Sequence, residues 1–491
     1  MTNPPRDANE QAHLLIARFL SHQNYSATLS SFLEESTSKH PQLRLNPHQS
    51  NDEQEDWNDV VEEWIAKKVT QIKLQDGDSK LRDELAKLES TREERMPSKV
   101  RTVVKEASNI LNVRKGTVPR KEWDSAALEF KSSSVRCIFT TTVDRTIKIW
   151  SHPTRSNSSR HPLELLDSHQ FPSPVLSLQQ HPLAGEEYTR FVACGTMEGR
   201  LTILDLVTRE KVVQIKDHTK YIVKVAWSPD GRHIATLGYD KLIHVYFVSH
   251  TPAPSDSDSP TIALSLVHTL HPRTNPEAAV FLPDSSHLVW TARDDHLLHY
   301  LSVPSPNDTS DEPWRMTEYN LNPNQDSFTS FSILSLSLHP VLPLLSLQTS
   351  TTSARIFLYP FHSSNRLKTI HTGAQQSDYF NPRHVWSEKG DMVVVNSEDG
   401  IVRVCGLSLE GGKERLRKGC HGVAAPLKDD EDDEEEGKEE ESEELKSERA
   451  KARRERDRGS SVVRDVEIVE LDEGGWVVFC AGFDKTVRMI V

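Results

Sequence analysis

Between Asp144 and Trp150 an acidic turn residue stands six positions before the aromatic that closes a strand, and this offset recurs down the chain. Asp240 leads to Tyr246, Asp294 to Tyr300, Asp399 to Cys405 and Asp484 to Ile490, with Glu198 to Leu204 and Ser353 to Tyr359 as weaker copies. The template thus recurs in seven units. Each unit opens on an alternating strand, as in 223–231, followed by a more continuous apolar one, as in 233–240. Short strands at this density, divided by Pro, Asp and Gly turns, describe an all-β chain, and a repeat of about 40 to 60 residues describes the blades of a propeller. Such a unit cannot bury its own apolar face, so neighbouring units must stack.

The residues resemble the WD-repeat propellers over roughly 108–491. That resemblance implies, within each blade, a hydrogen-bonded chain of a His before the first strand, a Ser or Thr in the second, the turn Asp and an aromatic in the third. Here the best match is His218, Thr236, Asp240 and Tyr246. Thr140, Asp144 and Trp150 form a partial one, and His169 and His421 also stand at the His position. Elsewhere Cys194, Trp290 and Cys480 occupy the Ser/Thr place, while Tyr246, Tyr300 and Tyr359 replace tryptophan. A buried Asp or His is tolerable when hydrogen-bonded and costs about 1 to 3 kcal/mol when it is not, so these read as structural residues. A catalytic dyad of His218 and Asp240 would lack a nucleophile.

The last unit stops after its third strand, leaving an edge that must be paired. The segment 108–118 precedes the first unit and is expected to supply the missing strand. The family further implies that residues just before the turn acid face partners, which selects Tyr239, Arg293 and Phe483, residue types suited to interaction hot spots.

Towards the N-terminus the periodicity becomes helical. Leu15, Ile16, Phe19 and Leu20 form one run, and Leu29, Phe32 and Leu33 a second, separated at Asn24 and Tyr25. Asn tolerates a left-handed turn. Two helices this short cannot bury enough surface alone and need a partner. With Thr28 and Glu35 the pattern resembles the LisH (lissencephaly homology) motif, although Asn24 stands where glycine is usual. The resemblance implies a homodimeric four-helix unit over 9–36, built on Leu15, Ile16, Phe19, Leu20, Tyr25, Leu29 and Phe32. An ordinary helix pair packed on the propeller is the other reading. Trp57, Val61, Trp64, Ile65, Val69 and Ile72, then Leu81, Leu85 and Leu88, again follow helical spacing. They suggest short coiled-coil or packing helices in a charged linker, 37–106. The propeller then occupies 107–491.

Charge is concentrated. Of a formal net charge of -14, the segment 429–444, with thirteen acids and one lysine, supplies -12. A basic stretch with seven Lys or Arg, 446–458, follows it. Low-complexity charge of this kind builds no core, so 421–461 is expected to be a disordered insertion. It reads as a solvated loop, a clamp for a basic partner, a self-masking lid or a nuclear-import signal. The rest is near neutral, which argues against a dedicated nucleic-acid binder, since phosphate neutralisation needs a positive face.

Five cysteines without a CxxC pair fit reduced thiols and a cytoplasmic or nuclear setting. The polar N-terminus and the lack of any apolar run near 18 residues argue against a signal peptide or a membrane span. The stretch 406–413 mimics a phosphate loop, but its lysine is one place late and Glu414 stands where Ser or Thr is required. His161, His181, His271 and His339 precede proline at strand ends and suit turns better than metal. No catalytic residue, cofactor or metal site is therefore expected. The function expected is a non-enzymatic homodimeric scaffold for protein partners. Its architecture resembles the lissencephaly-type regulators of microtubule motors, with nuclear co-repressors and ubiquitin-ligase substrate receptors as the alternative.

Overall fold

The computed structural model describes residues 17, 20, 26–39, 78–88, 100–124, 129–152, 163–251, 261–304, 314–322, 329, 331–352, 354–377, 380–407, 420–424, 462–471 and 475–491. The chain divides into two compact units, Met1–Leu81 and Arg82–Val491. In the first, helix α1 (Ser26–Lys39) carries Leu29, Phe32 and Leu33 half-buried, while Thr28 is exposed. Ala17 is buried and Leu20 half-buried, both helical. Leu15, Ile16, Phe19 and Tyr25 lie outside the described residues, as do Trp57, Val61, Trp64, Ile65, Val69 and Ile72. Leu81, Leu85 and Leu88 fall in a helical segment, 78–88, on which Leu85 is buried.

The second unit is a seven-bladed β-propeller: seven antiparallel four-stranded sheets, six of them built from strands consecutive in the chain. Blade one comprises β2 (Ile110–Asp124), β3 (Glu129–Thr142), β4 (Thr146–Ser151) and β5 (Leu165–Gln170). Blade two runs from β6 (Val175–Gln180) through β7 (Phe191–Thr196) and β8 (Leu201–Asp205) to β9 (Lys211–Ile215). Blade three has β10 (Ile222–Trp227), β11 (His233–Gly238), β12 (Leu242–Thr251) and β13 (Thr261–Leu270). Blades four, five and six begin with β14 (Pro276–Phe281), β18 (Ile333–Leu338) and β22 (His384–Trp386). The innermost strands touch one another in cyclic order, which encloses a central channel.

Burial explains the strand patterns. Second strands β7 and β11 are buried at every position, because both faces pack against neighbouring blades, so alternation is lost as in any doubly covered sheet. The outermost strand β9 alternates between half-buried and exposed, as one solvated face requires.

Blade seven closes the ring. Its strands β26 (Val463–Glu470), β27 (Trp476–Gly482) and β28 (Thr486–Ile490) come from the end of the chain, and its outermost strand is β1 (Val100–Lys105), paired antiparallel with β28 from Val100↔Ile490 to Lys105↔Thr486. The closing strand is therefore not the expected 108–118, of which 110–118 belong to the innermost strand of blade one. The reason is spatial: β1 lies on the outside of blade seven, and 106–109 lead directly into β2 next door. Val103 and Val104 bury into the core between blades seven and one.

Six of the seven innermost strands carry a register shift near their start, each at the same step relative to the second strand. A bulge of this kind re-aims a side chain. The residues inside these shifts are Leu111, Leu176, Val223, Glu277, Leu334 and Arg464, and every one of them lines the channel. Residues 421–424, read from sequence as the start of the charged insertion, instead form the outer strand of blade six, β25 (Cys420–Ala424). The remainder, 425–461, falls between β25 and β26, outside the described residues.

Candidate functional site

In blade three the turn network is complete on one side. His218 Nε2 is 2.8 Å from Thr236 Oγ1, and its Nδ1 is 3.0 Å from Asp240, which also accepts the Thr219 N–H at 2.8 Å. Burial works to raise the Asp240 carboxyl, but the His218 and Thr219 donors outweigh it and hold it below its ordinary value. Gly238 is required here, since a Cβ would stand 2.2 Å from His218 Nδ1. Tyr246, however, donates its hydroxyl to Asp217 at 3.1 Å.

Blade one divides the pattern. Trp150 Nε1 donates to Thr140 Oγ1 at 2.8 Å, while Asp144 is taken by Thr142 and Thr146 within its own turn. His169 does not join either: it lies in β5 opposite Ile147, 3.6 Å from Asp167 and without a hydrogen bond at Nε2. His421 likewise falls within a strand, opposite Val404.

In blade four the six-residue offset misleads. The acid that receives the i+2 backbone N–H is Asp295, not Asp294, and it pairs with His299 four residues on at 2.9 Å. Its turn is one residue longer, so Leu301 holds the place of Tyr246 and Tyr300 lies opposite Val289. Trp290, at the Thr236 position, stacks on His299 with ring centroids 3.9 Å apart. Blades six and seven replace the His–Asp pair by Arg403–Asp399 and Arg488–Asp484, again at i+4. That D-x-x-x-R spacing was legible in the sequence and is what stands in for the missing histidines.

Between blades five and six the buried His384 sits 2.8 Å from Ser346 Oγ, which also accepts Trp386 Nε1. Burial pushes His384 down to about 3, and burial with the neighbouring His250 pushes His181 down to about 4. Both depressed values mean that the unfolded chain binds protons first. The stability they allow is full above about pH 6.5 and lost as pH falls towards those values, His384 alone costing about 1.4 kcal/mol per pH unit in that window. Urea midpoints measured from pH 7 to pH 5 should fall, and His384→Gln should flatten the slope; an unchanged slope would show that His384 is not the group titrating. His181 and His339 have the turn role, with His339 Nδ1 accepting Leu342 N–H at 3.0 Å and its Nε2 donating to Gly390 O at 2.8 Å.

The central channel has a volume of about 840 Å³ and receives side chains from all seven blades. Arg114, Lys115, Lys224, Arg293, Arg383 and Arg464 face it, with Glu277 and Asp465. Asp465 is a junction: it accepts Val113 N–H at 2.8 Å, pairs with Arg114 of blade one, and lies 2.9 Å from Arg383 Nε of blade six. Burial raises its carboxyl, against the pull of Arg114 and the Val113 N–H. At the mouth Tyr221 and Tyr239 stack with centroids 4.5 Å apart.

Of the three residues expected to face partners, Tyr239 and Arg293 are turned onto the same Glu277 oxygen, at 3.0 and 2.6 Å. Phe483 is 40% exposed, with the Arg464 guanidinium 5.5 Å over its ring. The backbone N–H of each of these three donates to the carbonyl of a residue just before the inner strand, and Val143 and Met197 do the same in blades one and two. Val143 and Met197 directly precede the turn acids Asp144 and Glu198 and are 46% and 57% exposed, so they belong to this rim although only Tyr239, Arg293 and Phe483 were selected from the sequence.

Among the described residues no group of three His, Cys, Asp or Glu could hold a metal, and no helix is long and apolar enough to cross a membrane. Cys137, Cys194 and Cys480 are free and buried. The expectation of reduced thiols fails at Cys405, which is disulfide-bonded; Cys420 stands opposite it across the β25 pairing, a proximity set by strand register rather than by sequence spacing.

The family description WD domain, G-beta repeat, matches residues 209–246, ending at Tyr246 of the best-formed blade. Coronin-7 of Mus musculus is 30% identical over 113 residues, 23% of this chain and 12% of that protein. Echinoderm microtubule-associated protein-like 2 of Rattus norvegicus is 30% identical over 105 residues, 21% of this chain and 14% of that protein. Echinoderm microtubule-associated protein-like 3 of Homo sapiens is 39% identical over 64 residues, 13% of this chain and 7% of that protein. The matched stretches thus span only a small part of these relatives' length.

Proposed function

We propose that this WD-repeat propeller is a non-enzymatic scaffold that docks protein partners on the face carrying the rim. The observation that carries this reading is the exposure of Val143, Met197 and Phe483 at one repeated position around the channel mouth. Scattered apolar residues are ordinary on a surface, but a set placed by the same backbone contact in different blades is suited to one partner face. Aromatic and Arg neighbours at Tyr239, Arg293 and Arg464 supply the residue types that dominate docking energy.

The N-terminal helices are the dimerisation module in this reading, through Leu15, Ile16, Phe19, Leu20, Tyr25, Leu29 and Phe32. The half-buried Leu29, Phe32 and Leu33 on α1 are consistent with an apolar stripe. Among settings for such a scaffold, the microtubule cytoskeleton is favoured by the likeness to proteins named microtubule-associated protein-like.

Crosslinked affinity purification from native cells tests the partner face, comparing the wild-type chain with a Val143→Glu, Met197→Glu, Phe483→Glu variant of unchanged melting temperature. A partner set retained by the variant would refute the rim as the docking face. Light scattering of the full chain against residues 37–491 should give a dimer and a monomer; monomers from both would remove the dimerisation role.

A further inference from the structure

The channel holds more cationic side chains than it neutralises. Arg293 is matched by Glu277, and Lys115 by Glu388 at 3.1 Å. Arg114 and Arg383 converge on Asp465, with Glu467 3.8 Å from Arg383. Lys224 of blade three and Arg464 of blade seven have no carboxylate within ion-pair distance among the described residues. The Lys224 ammonium has no hydrogen-bond acceptor among them either. Arg383 Nε, though 2.9 Å from Asp465, is buried and not aligned to donate. Three sets of unspent donors from three blades therefore line the same enclosed space.

Burial first, and then the nearby Arg114, presses the Lys224 amine down to about 8 against the pull of Asp465. Burial also lowers the Arg464 guanidinium. Lys224 and Arg464 are half-buried, so each cation is partly desolvated without a carboxylate beside it, and charged ligand oxygens would relieve that cost. Guanidinium forks and an ammonium together suit phosphate oxygens, the first for bidentate geometry and the second as a point charge.

We propose that the central channel binds a small soluble phosphate-bearing molecule, whose phosphate oxygens engage Lys224, Arg464 and Arg383. Lys224 lies on an inner strand, Tyr221, Asn275 and Phe380 line the same space, and its volume of about 840 Å³ favours a compact ligand. The site shares Arg464 with the rim, but Lys224 and Arg383 are not rim residues, so Lys224-dependent phosphate binding would be retained if the docking reading failed.

Calorimetric titration of the full chain with inorganic phosphate, pyrophosphate and myo-inositol hexakisphosphate tests it. Affinity is expected to rise with phosphate number. Lys224→Met should weaken the tightest probe at least tenfold, Lys224→Arg should retain most of it, and the exposed Lys216→Ala should leave it unchanged. In the absence of probe, Lys224→Met should melt at the same temperature as wild type or higher, which separates loss of a ligand contact from misfolding. Absence of heat with all three probes, or binding unmoved by Lys224→Met in a folded variant, would overturn the proposal. So would tighter, Lys224-dependent binding of a synthetic peptide covering 429–444, which would make the channel a site for acidic peptide.

Discussion

Val103→Asp lowers the melting temperature of the entire propeller, not of one blade. Val103 is 2% exposed and belongs to the core shared by blades seven and one. Burying a valine contributes about 1.5 to 3 kcal/mol, and an unpaired carboxylate in its place adds a desolvation cost of several more. The sum reaches roughly 4 kcal/mol or above, which for a unit of this size is a fall of about 5 °C or more. Differential scanning calorimetry should show one cooperative transition moved down. A transition moved by only a degree or two would mean that β1 is dispensable and that the ring holds without it. Deleting 107–120 would not make this distinction, because it removes most of the innermost strand of blade one.

Asp465→Asn comes second. The substitution keeps the shape but removes the charge that answers Arg114 and Arg383, and it weakens the acceptor for Val113 N–H. Removing one partner of a buried ion pair typically costs about 3 to 5 kcal/mol, because the remaining charges stay buried without compensation. Guanidinium denaturation should show that loss in the wild-type background. In an Arg114→Met background the same substitution should cost much less, since fewer cations are orphaned. Equal costs in the two backgrounds would refute the coupling.

The legible parts of this fold were the local ones. An acid and the residues two and four places after it are joined by a turn, so the blade periodicity and the network of His218, Thr236 and Asp240 could be read from one stretch of chain. The offset failed at Asp294 because a single added turn residue leaves composition unchanged while moving the register, and only the pairing of Leu301 with Leu288 reveals it. The pairing of Val100 with Ile490 joins opposite ends of the second unit, and no spacing rule reaches that far. Tyr239 and Arg293 were read as outward-facing because Glu277 of blade four, on which the neighbouring blade's Tyr239 and the same blade's Arg293 both close, is placed by a bulge that the sequence does not announce. The channel cations come from separate blades and have no linear motif at all.

The two-ended seventh blade also sets an order on biosynthesis. Strand β1 emerges from the ribosome long before its partner β28, with every other strand of the propeller made between them. At about 5 to 20 residues per second, the intervening chain takes roughly 20 to 80 s to translate. For that interval Val103 and Val104 have no sheet to enter, although six blades can already be stacking beside them. The nascent chain therefore carries a waiting apolar strand ahead of its blades, a place for a holding chaperone to act, and a stalled ribosome would release a ring that cannot shut.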